Sequence, residues 1–130
     1  MPAEGRSSTR ALGVVAGATA VSGAVQTIRP ELVLGLIAAE HDRLARQLFA
    51  TIGMFMTGSG CLLAQNLTTT PDRTVLRWVG LEKLGSAIAL TVGVRRTVFK
   101  RRALAVAAFD LASGVLCLAQ ARTMDRAEVR

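Results

Sequence analysis

The feature that most constrains this chain is a run of 25 residues, from position 47 to position 71, without a charged side chain. Residues 48–63 of this run place apolar side chains on every face of a helix. A helix on a soluble core would instead show polar residues every third or fourth position. At about 1.5 Å per residue, the run is long enough to cross a bilayer core of about 30 Å. It therefore predicts a membrane-spanning helix with lipid as its solvent.

Charged residues elsewhere collect in short blocks between three further uncharged runs, which cover residues 11–28, 84–94 and 111–121. This distribution predicts an all-α fold, a bundle of four transmembrane helices. The spans are expected at residues 10–28, 43–67, 75–94 and 103–121. A chain of 130 residues is long enough for one domain, and 51% of its residues are hydrophobic.

A single membrane domain is accordingly expected over residues 10–121. We predict a flexible N-terminus at residues 1–9 and a flexible charged tail at residues 122–130, because polar termini of this kind fray. The first apolar run follows a short polar stretch, as in a signal peptide, but its 18 residues favour an uncleaved first span.

The first span ends at Arg29-Pro30, because proline disfavours a helical conformation at the preceding residue and suits the start of a new helix. Glu31 then falls in a first turn, where a carboxylate complements the helix dipole. Residues 31–40 are apolar but too few to span. They predict a short interfacial or re-entrant helix after the first span.

The net charge of +7 would suggest nucleic acid in a soluble protein. Here the arginines lie at the ends of apolar runs, where they can reach lipid phosphates. The chain has four Phe, one Trp and no Tyr, too few rings for a base-stacking platform. We therefore expect the lipid bilayer as partner and no nucleic acid.

The basic residues also indicate an orientation. The connection at residues 95–102 holds five Lys and Arg, and Arg29, Arg43 and Arg46 lie on the same side of the predicted bundle. Seven arginines lie on the other side, so the totals nearly tie. The density of the cluster favours a cytoplasmic 95–102 loop in a multi-pass protein of the inner membrane.

Three ionisable residues lie away from the ends of the predicted spans and form the candidate intramembrane polar site: Glu82, Lys83 and Asp110. A charge near the bilayer centre costs about 2.5–3.5 kcal/mol, so such residues normally face the protein and find a partner. Two interpretations stay open. The residues could form a proton, cation or headgroup site, or a structural bridge such as Asp110 with Lys83.

Small residues and one aromatic complete the candidate positions. Glycines that would let helices approach closely are Gly13, Gly17, Gly58, Gly60, Gly85 and Gly114. Arg77 and Trp78 are expected to act as interfacial anchors, since an indole suits the headgroup level.

Few residues suggest catalysis or metal binding. Cys61 and Cys117 lie deep in apolar runs without a C-x-x-C motif and are expected to pack as small apolar groups. The alternative is a contact between them, because each falls near the same end of the bundle. His41 stands in E-H-D, but consecutive helical residues converge poorly on a metal. We expect no metal, no cofactor and no catalytic residue.

Four features follow one another in a recognisable order. They are R-P-E-L-V-L-G-L at residues 29–36, G-M-F-M-T-G-S-G at 53–60, W-V-G-L-E-K-L-G at 78–85, and a fourth span that bears an acid. This order resembles small bacterial four-helix membrane proteins of the DoxX-like type and related domains of unknown function. The resemblance implies a helical membrane bundle and, for some relatives, a place in membrane oxidoreductase assemblies. It carries over no catalytic residue.

The function expected from these observations is a non-enzymatic accessory or scaffold subunit of a membrane assembly, either homo-oligomeric or joined to other membrane subunits. The alternative is a carrier for a small molecule, an ion or a lipid that uses acidic residues inside the bundle. A membrane enzyme of redox type is a third, weaker option. The substrate, the partner and the oligomeric state are not encoded in any motif.

Overall fold

The computed structural model describes the backbone of residues 3–128 and the side chains of residues 7–127. This part of the chain forms five helices and is all-α, as predicted. Their bounds are α1 Ala3–Ile28, α2 Pro30–Ile37, α3 Arg43–Thr68, α4 Arg73–Arg95 and α5 Ala103–Glu128. The short helix expected after the first span is α2. The segment 122–130, predicted as a flexible tail, is helical as far as Glu128.

Three of the helices are long and apolar enough to cross a membrane by length and composition, over Ser7–Ile28, Arg43–Thr68 and Ala103–Ala127. The fourth long helix, α4, has 23 residues and a comparable length, but it carries four charged residues in its first half. By these criteria the chain fits a small multi-span membrane protein.

The long helices pack as two pairs. α1 lies against α3, and α4 lies against α5, whereas α1 meets α5 and α3 meets α4 through far fewer contacts. The apolar core lies at the end of the bundle that holds the 69–72 turn. Each long helix contributes to it, through Leu12, Leu63, Leu76 and Cys117 among others.

Glycines bring the backbones of each pair together. A Cβ atom on Gly60 of α3 would lie 2.5 Å from the backbone nitrogen of Ala20 in α1. A Cβ atom on Gly114 of α5 would lie 2.9 Å from the carbonyl oxygen of Gly80 in α4. Real Cβ atoms do not approach so closely, so the observed helix separation requires glycine at these positions.

The predicted packing glycines therefore divide into two groups. Gly60 and Gly114 lie at helix contacts. The other four, Gly13, Gly17, Gly58 and Gly85, have nothing within 4 Å of the place that a Cβ would occupy. Three further glycines lie at helix contacts and were not predicted: Gly23, Gly53 and Gly80. Runs rich in Gly and Ala show small residues on every face, so spacing alone did not separate the two groups.

Two aspartates begin the helices that follow the loops. Asp42 accepts a hydrogen bond from the backbone N–H of Ala45 (2.7 Å) at the start of α3. Asp72 accepts one from the N–H of Thr74 (2.7 Å) at the start of α4. These bonds satisfy backbone donors that the helix leaves free. The bond from Thr74 also lowers the pKa of the Asp72 carboxyl from its ordinary value, because it stabilises the charged form.

At the opposite end, α2 is joined to the basic loop between α4 and α5. Ala38 and Phe99 form an isolated antiparallel bridge. The N–H of Ala39 donates to the oxygen of Val98 (3.1 Å), and the N–H of Lys100 donates to the oxygen of Ile37 (2.7 Å). We call this contact, between residues 35–39 and 98–100, the α2–loop clamp. It links the two helix pairs at the basic end of the bundle.

Lys100 makes a second contribution to the clamp. Its Nζ donates to the carbonyl oxygen of Gly35 (3.0 Å), near the C-terminus of α2. Carbonyl groups at a helix C-terminus lack partners within the helix, and a cation there interacts favourably with the helix dipole. The ring of Phe99 packs against Gly93. A Cβ atom on Gly93 would lie 2.3 Å from Cδ2 of that ring.

Replacing Gly60 with alanine should destabilise the protein by about 1–3 kcal/mol, because the added methyl group forces α1 and α3 apart. The matched substitution Gly58→Ala adds the same methyl group to open space and should be neutral or stabilising by up to about 1 kcal/mol, since alanine favours a helix. Thermal unfolding in mild detergent measures both. Equal effects of the two substitutions would contradict the packing described above.

Candidate functional site

A buried ion pair joins α4 to α5. The Nζ of Lys83 lies 2.9 Å from Oδ1 of Asp110, and the two side chains are only 4% and 5% exposed. Lys83 is ten positions after Arg73 in a helix of 23 residues, close to the helix midpoint. The pair therefore lies well inside the structure along α4 as well as between the helices.

Neighbouring groups complete the partners of this pair. The hydroxyl of Ser86 donates to Oδ2 of Asp110 (2.6 Å), so both oxygens of the carboxylate accept hydrogen bonds. The Nζ of Lys83 also lies 5.8 Å from the centre of the Phe109 ring, which adds a cation–π contact. Charges withdrawn from solvent are tolerated when they are paired and hydrogen-bonded, and this site meets both conditions.

The local sequence explains why these side chains meet. Lys83 and Ser86 are three residues apart in α4 and share one helix face. On α5, Ala107 and Ser113 each lie three positions from Asp110 on the same helix face, and both are small and buried. These small side chains leave room for the long lysine stem beside Asp110.

Glu82 does not join the other two predicted residues. It lies about 100° around α4 from Lys83, its side chain is exposed, and it accepts a hydrogen bond from the hydroxyl of Ser59 in α3. The structure thus brings together Lys83 and Asp110 but places Glu82 between the two helix pairs. The partners Ser59 and Ser86 were not predicted from the sequence, because serine inside a span gives no signal unless its position relative to the acid is known.

The predicted anchors lie at the end that holds the 69–72 turn. Arg77 forms an ion pair with Asp125 of α5 (2.6 Å), and Arg73 lies 3.5 Å from the same carboxylate. Trp78 is 69% exposed on the outer surface of α4. Arg77 therefore connects α4 with α5 in addition to any contact with lipid headgroups.

The remaining candidates are separate from this site. Cys61 is exposed and Cys117 is buried, and both thiols are free. Within residues 7–127, no three His, Cys, Asp or Glu side chains lie close enough together to hold a metal ion. Four surface cavities of about 320 to 670 Å³ occur in the same part of the chain, and neither Lys83 nor Asp110 lines any of them. The polar pair is therefore closed off from these cavities.

The chain was compared with models of known protein families, with curated proteins and with solved structures, and no match was found. The resemblance to DoxX-like proteins stays a prediction that gains no support from these comparisons.

Replacing Asp110 with leucine should cost about 3–5 kcal/mol of stability, because it leaves the Lys83 ammonium buried without its counter-charge. The double variant Lys83→Met/Asp110→Leu should recover most of this loss, since neither charge is then buried. Titration with a denaturing detergent, followed by circular dichroism, gives the free energies of unfolding. Breaking the exposed pair with Arg77→Met is the control and should cost at most about 1 kcal/mol. If the double variant were no more stable than Asp110→Leu, the two side chains would not be energetically coupled.

Proposed function

We propose that this chain is a small integral membrane protein with four spans that acts as a non-enzymatic accessory or scaffold subunit of a membrane assembly. The observation that carries the proposal is the closed polar site. Both oxygens of Asp110 are occupied by Lys83 and Ser86, so these groups hold α4 to α5 rather than presenting a charge to a ligand. In a membrane, bonds of this kind help to associate helices.

The outer surfaces of the helices support an assembly role. Gly13 and Gly17 of α1 are exposed and four residues apart, and Gly58 and Gly85 are exposed on α3 and α4. Each leaves open space in the isolated chain. Small residues on a lipid-facing surface let a further helix approach closely, so a second copy or another membrane subunit is the expected partner.

In this proposal α4 crosses the membrane together with α1, α3 and α5. Its charged residues have partners that reduce the cost of insertion: Lys83 pairs with Asp110, Arg77 pairs with Asp125, and Glu82 bonds to Ser59. With α4 across the membrane, the 95–102 loop and α2 lie on one side and the 69–72 turn lies on the other. The density of basic residues favours the cytoplasmic side of an inner membrane for the 95–102 loop.

The alternative is a carrier, and one observation favours it. Glu82 is an exposed carboxyl group on α4, away from the closed pair, with a serine hydroxyl as its hydrogen-bond partner. A carboxyl group at that depth can exchange a proton or bind a cation. Loss of transport in Glu82→Gln, with unchanged yield and assembly, would favour this alternative over the scaffold role.

Cysteine labelling tests the four-span arrangement. In a background with Cys61→Ala and Cys117→Ala, single cysteines introduced by Thr70→Cys and Val98→Cys should react with a membrane-impermeant maleimide from opposite sides. Both positions are exposed in loops, so labelling depends on the side of the membrane and not on burial. Labelling of both from the same side would exclude a spanning α4.

Purification from native membranes in mild detergent tests the role of the chain as a subunit. The expected particle is larger than the 13.7 kDa chain, and mass spectrometry identifies its other members. Asp110→Asn should reduce the yield of this particle, because the amide cannot replace the charge opposite Lys83. A monomeric wild-type protein that co-elutes with no other chain would contradict the proposed role.

A further inference from the structure

An open groove runs along the outer surface between α4 and α5. It has a volume of about 320 Å³, and its lining is mostly aliphatic, from Leu84, Ala87, Ile88, Val92 and Leu111. Ile88 is 65% exposed and Leu111 is 52% exposed, so the groove faces outward from the bundle.

The polar members of the lining have distinct roles. The hydroxyl of Thr91 donates to the carbonyl oxygen of Ala87 in its own helix (2.7 Å), so its hydrogen-bonding needs are met without a ligand. Arg95, the last residue of α4, lines the same groove at its basic end. An aliphatic groove that ends at an arginine side chain matches an amphiphile with an anionic headgroup.

More positive charge surrounds the mouth of the groove. Arg96, Arg101 and Arg102 are exposed in the adjoining loop, and Arg95 is exposed at the end of the helix. Within residues 7–127, none of these four arginines forms an ion pair with a carboxylate. Lys100 of the same loop is held by Gly35 in the α2–loop clamp, which fixes the position of the loop relative to α2.

The length of the groove fits one leaflet of a bilayer. Leu84 and Arg95 are eleven residues apart, which corresponds to about 16 Å along the helix axis. One leaflet contributes about half of a hydrocarbon core of about 30 Å. Arg95 then lies at the depth of the lipid phosphates when the aliphatic lining lies at the depth of the acyl chains.

We propose that this groove binds one anionic phospholipid, with an acyl chain along Ile88, Val92 and Leu111 and the phosphate on Arg95. The inference rests on the proposed membrane-spanning arrangement of α4 and α5. It goes beyond that arrangement by assigning a ligand class, a site and the leaflet on the side of the 95–102 loop. Arg96, Arg101 and Arg102 supply additional charge that favours an anionic over a zwitterionic headgroup.

Native mass spectrometry of the full chain in mild detergent tests the proposal, with dioleoyl phosphatidylglycerol and dioleoyl phosphatidylcholine as probes. Wild type should bind one phosphatidylglycerol more tightly than phosphatidylcholine. Arg95→Gln should weaken binding of the anionic lipid about five- to tenfold, the contribution of one arginine near a phosphate. Arg126→Gln removes an exposed arginine at the far end of the bundle and is the matched control, with binding expected to stay as in wild type. Circular dichroism confirms that each variant is folded.

A second variant tests the apolar part of the site. Ile88→Trp places a large side chain over the groove at an exposed position and should also weaken lipid binding, although Arg95 is intact. Equal affinity for the two lipids, or unchanged binding in both Arg95→Gln and Ile88→Trp, would overturn the proposal. Inorganic phosphate is the third probe, and its competition with phosphatidylglycerol for Arg95 would assign the site to free phosphate instead.

Extraction of membranes at alkaline pH separates this inference from the proposal on which it rests. A chain released by the wash is not an integral membrane protein, and the four-span arrangement then fails. A chain retained in the membrane that shows no preference for the anionic lipid leaves that arrangement intact and overturns only the lipid site.

Discussion

Close approach between helix backbones is the constraint on which this structure depends. Between helices surrounded by lipid, burial of apolar surface gives little driving force, so association relies on dispersion contacts and a few polar bonds. Gly60 lies against Ala20 in one pair of helices, and Gly114 lies against Gly80 in the other. Each pair is thereby brought to a separation at which short side chains are sufficient for a continuous interface. The positions of the polar groups follow from that separation.

The Lys83–Asp110 pair is a product of this geometry. A lysine and an aspartate on facing helices can meet directly only where small neighbours leave space, and α5 supplies Ala107 and Ser113 for this purpose. The pair provides a directional hydrogen bond where apolar side chains would give only dispersion contact. It therefore fixes the rotation of α4 against α5. Desolvation offsets much of the attraction in a buried pair, so the intact pair is expected to add little net stability.

The sequence predicted the features that depend on the surrounding solvent and on helix-breaking residues. Uncharged runs predicted the all-α class, and Arg29-Pro30 predicted the short second helix. Asp110 with Lys83 was one of two interpretations, proposed because charged residues inside spans normally find a partner. Rotation about each helix axis was not predictable, because small residues occur on all faces. For that reason Glu82 was grouped with a pair from which it is separate, and the contact glycines Gly23 and Gly53 were not selected.

The α2–loop clamp has a consequence for the order in which the chain acquires its native contacts. The oxygen of Ile37 and the N–H of Ala39 bond to residues about sixty positions later in the chain, so they have no native partner while only the first helix pair has been synthesised. α1 and α3 can associate early through glycine contacts, whereas α2 docks onto the loop only after α4 has emerged. Closing a loop of that length costs entropy, so we expect the clamp to form late. Until then, other hydrogen-bond partners such as water must satisfy these two backbone groups.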